Sequence, residues 1–71
     1  MVGVGDTVKV KYPVLSANSK FQDQAAVVIR RKTGDIYGLI MVEPVRITDG
    51  EVEHTHLYEE GRYLERQRDS N

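Results

Sequence analysis

Two apolar runs, Ala25–Ile29 and Ile36–Val42, flank a polar tip at Arg30–Asp35, and this arrangement dominates the chain. Each run has the length of a strand and is rich in β-branched residues. Gly34 stands where the chain must reverse, and glycine tolerates the positive φ that a reversal demands. The pattern predicts a β-hairpin. On its first strand Ala25, Val27 and Ile29 share one face, and Ala26 and Val28 share the other. On its second, Ile36, Gly38, Ile40 and Val42 alternate with Tyr37, Leu39 and Met41. Both faces of both strands are therefore apolar, whereas a half-buried antiparallel sheet should alternate apolar with polar. Either the strands bend sharply and serve two sheets, with Gly38 at the bend, or a second chain covers the outer face.

The flanking segments predict a β framework around that hairpin. Thr7–Tyr12 alternates with a period of two, Val8, Val10 and Tyr12 pointing one way and Thr7, Lys9 and Lys11 the other. Pro13 lacks an amide hydrogen and should end the pairing. Residues 14–23 read as a long polar loop, from which Phe21 is expected to fold back and close one end of the core. After an interruption at Glu43-Pro44, Val45–Thr48 forms a short strand, and Asp49-Gly50 is a two-residue hairpin signal. Glu51–Tyr58 is the return strand. A helical turn is expected at Leu57–Gly61, followed by a last strand at Arg62–Arg66. The expectation is an all-β protein: a small five-stranded SH3-like barrel, residues 1–71 forming a single domain.

Composition sharpens the question of partners. A chain of 71 residues buries only about 60% of the surface its unfolded form exposes. Such scaffolds need a staple or a partner. Cysteine is absent, so neither a disulfide nor a thiolate metal site is available. Oligomerisation or docking on another protein is the remaining supplement. No basic and apolar leader pattern opens the sequence, and no apolar run approaches the roughly 20 residues of a membrane span. The expected setting is soluble and cytoplasmic, without a membrane partner.

Net charge is −1, but it is unevenly spread. Residues 1–32 carry six basic against two acidic side chains, and residues 33–71 carry four arginines against nine acids. One surface reading is therefore bipolar, with a basic partner face. The other is a mixed, solvated surface.

The segment Val4-Gly5-Asp6-Thr7-Val8-Lys9-Val10 resembles the opening of SH3-like barrels, including KOW-type translation and transcription domains. In those folds a Gly-Asp turn launches the first strand and a terminal strand closes the barrel, and Tyr63-Leu64-Glu65-Arg66 is similar to that closing segment. The longer pattern, Gly5–Val10 and then Lys20-Phe21 through Val27-Val28-Ile29-Arg30-Arg31, looks like the large-subunit ribosomal protein family L-nineteen. It covers about half the chain and departs afterwards. The resemblance implies the fold and, more weakly, RNA. Small SH3-like barrels also serve as accessory subunits, such as the variable chain of ferredoxin-thioredoxin reductase. The plasmid type II dihydrofolate reductases share the fold as well, but their Val-Gln-Ile-Tyr active-site run is absent here. Fold alone does not carry function.

Candidate chemistry is sparse. His54 and His56 are spaced i, i+2, so one face of a strand could carry both rings towards a metal. A two-histidine pair is also what exposed strand residues look like, and no metal site is assigned. Ser16 and Ser19 have no base nearby in sequence, so no catalytic residue and no cofactor is assigned, and enzymatic activity is not expected. Lys9, Lys11, Lys20, Arg30, Arg31 and Lys32 could bind phosphate, with Tyr12 and Phe21 as stacking partners. The same lysines could instead guard a strand edge. Protein-partner or self-association has the broadest support, with Tyr37, Leu39 and Met41 as the apolar contact and Arg30 and Arg31 at its rim. The competing assignment puts Tyr37 and Leu39 in the chain's own core.

Overall fold

A computed structural model describes residues 2–13, 19–47 and 52–67. It consists mostly of strands: β1 (Thr7–Val10), β2 (Ala25–Arg31), β3 (Ile36–Ile47), β4 (Val52–Glu60) and β5 (Leu64–Arg66). They form one antiparallel sheet in the order β4-β3-β2-β1-β5. The ladder does not close: β4 and β5 are its edges, so the expected closed barrel is not formed. Two 3₁₀ turns, Ser19–Phe21 and Gly61–Tyr63, complete the elements.

The central hairpin is as its apolar pattern predicts. At its tip Lys32 N–H donates to Ile36 O at 2.7 Å, and Gly34 takes a φ of +66°. Ladder register sets Val28 opposite Leu39 and Val27 opposite Ile40. Val28 and Leu39 are buried, while Ile40 is exposed, so one face is core and the other is surface. The core comprises Val8, Val10, Phe21, Ala26, Val28, Tyr37, Leu39, Met41, Val45 and Leu64. Phe21 folds back into it, as expected.

Two irregularities shape the sheet. Ile29 is extra on β2, because Val28 faces Leu39 and Arg30 faces Gly38. On β3 the register jumps between Ile40, opposite His56, and Val45, opposite His54. Glu43-Pro44 lies within that jump, which is where a residue without an amide hydrogen is tolerated. The chain does not end its strand there, and Val45–Ile47 continues β3 rather than forming a strand of its own. The Asp49-Gly50 turn lies outside the described residues.

The C-terminal segment differs from expectation. Leu57–Glu60 continues β4, and the turn sits later, at Gly61–Tyr63. The last strand is consequently shortened to Leu64–Arg66. Gly61 explains the placement. A Cβ there would lie 2.7 Å from Asp35 Oδ1 and 2.9 Å from Tyr37 Cε1, so only glycine fits where the chain leaves β4. Gly61 N–H also donates to Asp35 O at 2.8 Å.

Beyond Val10 the first strand is finished by a side chain. Tyr12 N–H donates to Gln22 Oε1 at 2.7 Å, and Gln22 Nε2 donates to Tyr12 O at 3.4 Å. The amide group thus stands in for a neighbouring strand just before Pro13.

Candidate interaction surface

The sheet has two faces, and the register sorts the side chains between them. Thr7, Val27, Ile40 and His56 lie in one row across β1, β2, β3 and β4. A second row holds Arg30, Gly38 and Tyr58, and Ile36 stands opposite Glu60 in a third. Ile40 and Tyr58 are exposed in these rows, so this is the outer face. Ile29, Ile36 and Val42 are exposed as well. A sheet face with this many branched apolar side chains in water is unusual for an isolated small domain.

Arg30, Gly38 and Tyr58 give the outer face its relief. A Cβ on Gly38 would meet Arg30 Cγ at 2.7 Å and Tyr58 Cε1 at 3.2 Å, so the aliphatic stem of Arg30 and the Tyr58 ring both close in on the bare backbone. Lys32 Nζ stands 4.5 Å from the centroid of the Tyr58 ring, a cation–π contact that fixes both groups. Beside them lies a shallow groove of about 220 Å³, lined by Ile29, Arg30, Gly38, His56 and Tyr58 among others. Its walls are apolar and aromatic, and its charged lining residue is the cationic Arg30.

Tyr37, Leu39 and Met41 point the other way. They are 5%, 0% and 5% exposed, so the apolar contact assigned to them from the sequence is corrected: they are core side chains. Apolar content is equal on both faces, and inward facing of Tyr37 is set by the space that Gly61 leaves for its ring. Arg30 and Arg31 are exposed, and Arg31 Nε donates to Gly34 O at 3.0 Å across the hairpin tip.

The basic set does not form one patch. Lys11 pairs with Asp23 at 2.5 Å. That contact, first as a hydrogen bond and then as a charge interaction, holds the Lys11 ammonium above the usual lysine range and the Asp23 carboxyl below the usual carboxylate range. Lys9 is half-buried opposite Ala25 and Glu65, and Lys20 is exposed on the first 3₁₀ turn. Of the aromatics considered for stacking, Phe21 is buried, and Tyr12 tilts against Tyr63 at 5.4 Å between centroids. Within the acidic half Arg46 pairs with Glu53 and Arg62 with Glu60, while Arg66 reaches Asp6 in the basic half.

The two histidines part company. His54 lies edge-on to Phe21 at 6.1 Å, and His56 lines the outer groove, its Nδ1 2.8 Å from Thr55 Oγ1. Among the described residues no group of three or more histidine or acidic side chains is placed to hold a metal, and no helix is long and apolar enough to cross a membrane. A second cavity of about 220 Å³ is lined by Val2, Asp35, Tyr37, Gly61, Leu64 and Arg66. Comparison with known proteins adds no relative: no family model matches the chain, and no curated protein or solved structure matches it significantly.

Proposed function

We propose that the chain is a small SH3-like module that works by docking, on a larger assembly as an accessory subunit or on a second copy of itself, through the outer face of β2, β3 and β4. The observation that carries this reading is the exposure of Ile29, Ile36, Ile40 and Val42 on a sheet face whose opposite side already holds a complete core. Covering such a face removes apolar area from water, which stabilises by about 25 cal/mol per Å². Arg30 and Arg31 keep the rim role assigned to them, while the apolar contact moves from Tyr37, Leu39 and Met41 to the alternate residues of the same strand. The SH3-like assignment draws support from the 3₁₀ turn between β4 and β5 and from β5 lying beside β1.

The rival reading is an RNA-binding module using Lys9, Lys11, Lys20, Arg30, Arg31 and Lys32. The dispersal of these side chains and the Lys11–Asp23 pair weigh against it.

A photo-crosslinking residue placed at Ile40, with a second at Lys20 as reference, tests the reading in cells or native lysate. A discrete protein adduct at position 40, resistant to nuclease and lost with Val42→Asp, is the expected result. Size-exclusion chromatography with light scattering then tells self-association from a foreign partner. No adduct at position 40, or one that disappears with nuclease, would overturn the reading.

A further inference from the structure

Resting on that reading, we infer the chemistry of the partner: an acidic, apolar segment of another protein, which lays a branched or aromatic side chain in the groove beside Gly38 and sets carboxylates against Arg30 and Lys32. The first ground is charge complementarity. Lys11, Arg46, Arg62 and Arg66 each have a carboxylate partner. Arg30 and Lys32, like Lys9, Lys20 and Arg31, have none among the described residues; of these, Arg30 lines the groove on the outer face and Lys32 lies over the Tyr58 ring at its edge. Lys32 is held over the Tyr58 ring rather than by an acid. Glu60, the acid nearest in the ladder rows, is turned to Arg62 at 3.0 Å. Two cations are thus presented without a counter-charge at the edge of an apolar surface, and carboxylates supply what is missing.

The second ground is the character of the walls. Ile29 and Tyr58 line the groove, and Ile36 and Ile40 stand on either side of Gly38 along β3. Gly38 lets the Arg30 stem and the Tyr58 ring close in over β3, and these two side chains, with Ile29, form the walls against which an inserted side chain would pack. Branched aliphatic walls favour an apolar side chain over a nucleobase. The exposed aromatic available for stacking is Tyr58, and Lys32 already occupies one side of its ring. The position is interior to the sheet, so the partner rests on a face and does not extend the ladder at β4.

Titrations of the isotopically labelled chain, followed by amide NMR, test this with four probes: short peptides alternating glutamate with leucine, lysine with leucine, and glutamate with serine, and an oligothymidylate. The glutamate–leucine peptide is expected to bind about tenfold more tightly than the other three and to weaken with salt. Its shifts should centre on Ile29, Gly38 and Tyr58. Arg30→Gln with Lys32→Gln should remove the preference, while Arg46→Gln leaves it intact. Equal binding of the lysine–leucine peptide, tighter binding of the oligothymidylate, or shifts centred on the free edge of β4 would each overturn the inference. If the crosslink at position 40 forms and the acidic preference is absent, the partner chemistry falls while the docking face stands. If the crosslink also fails, both fall.

Discussion

The Tyr12 hydroxyl donates to Glu59 Oε2 at 2.6 Å, joining the end of β1 to the edge strand β4 across 47 positions of sequence. Glu59 is only 9% exposed, and its other oxygen accepts the Glu60 N–H at 2.9 Å. The sheet ladder does not connect these two strands, so a side-chain bond does. Tyr12→Phe removes the donor and leaves a nearly buried carboxylate short of a partner. The expected loss is about 1–3 kcal/mol, read by urea denaturation. Adding Glu59→Gln should recover part of it, and strict additivity of the two changes would show that the bond contributes nothing.

Leu39 and Ile40 are neighbours in sequence with opposite fates. Leu39→Ala should cost about 2–5 kcal/mol, because it empties a fully buried site. Ile40→Ala, at a position 39% exposed, should cost at most about 1 kcal/mol. A larger loss for Ile40→Ala than for Leu39→Ala in parallel denaturant titrations would mean that the faces are assigned the wrong way round.

Gly61→Ala should destabilise by about 1–3 kcal/mol, since the new methyl meets Asp35 Oδ1 and the Tyr37 ring at less than van der Waals distance. Shortening the neighbour, in Asp35→Ala with Gly61→Ala, relieves one of the two clashes and should restore a part of the stability. Thermal melts of the single and the double variant beside the parent chain decide it.

The Lys11–Asp23 pair sets a pH window. Asp23 has its carboxyl lowered on folding, so its contribution is present above the ordinary carboxylate range and is lost as pH falls through the lowered value. Lys11 is raised, so its contribution is present below the ordinary lysine range and is lost as pH rises through the raised value. Both groups are solvent-exposed, and screening keeps the effect small. Asp23→Asn keeps a residue type that tolerates the φ of +65° found there. It should lower the melting temperature slightly at neutral pH and low salt. As pH falls through the lowered Asp23 range, and in about 1 M salt, the difference from the parent chain should vanish.

Alternation makes the central hairpin and β1 legible from the sequence alone, because period-two patterning is a local property of the chain. It could not choose between the two faces of β3, since Tyr37-Leu39-Met41 and Ile36-Ile40-Val42 are equally apolar. The choice follows from partners distant in sequence: Gly61 makes room for Tyr37, and Gly38 lets Arg30 and Tyr58 close over the other side. A local cue did exist on β4, where Leu57 faces Leu39 while the polar-tipped His56, Tyr58 and Glu60 face outward. The turn expected at Leu57–Gly61 lies two to four positions later, at Gly61–Tyr63, for the same reason, because its location answers to Asp35 and Tyr37. Gln22 acting as a surrogate strand for Tyr12 leaves no trace in patterning at all.

The pairing of β1 with β5 sets how the molecule resists force. The strands run antiparallel, with Val8 opposite Arg66, and Gln67 N–H donates to Thr7 O at 2.8 Å. Residues 7 and 67 are therefore adjacent. Tension applied to the two ends of the described chain would act at one end of this ladder and across it, so its hydrogen bonds would break one after another, as in a zipper, instead of sharing the load in shear. Such a linkage is mechanically soft even where the core beneath it is well packed. A load carried through its two ends would peel β5 from β1 before disturbing the docking face on β2, β3 and β4.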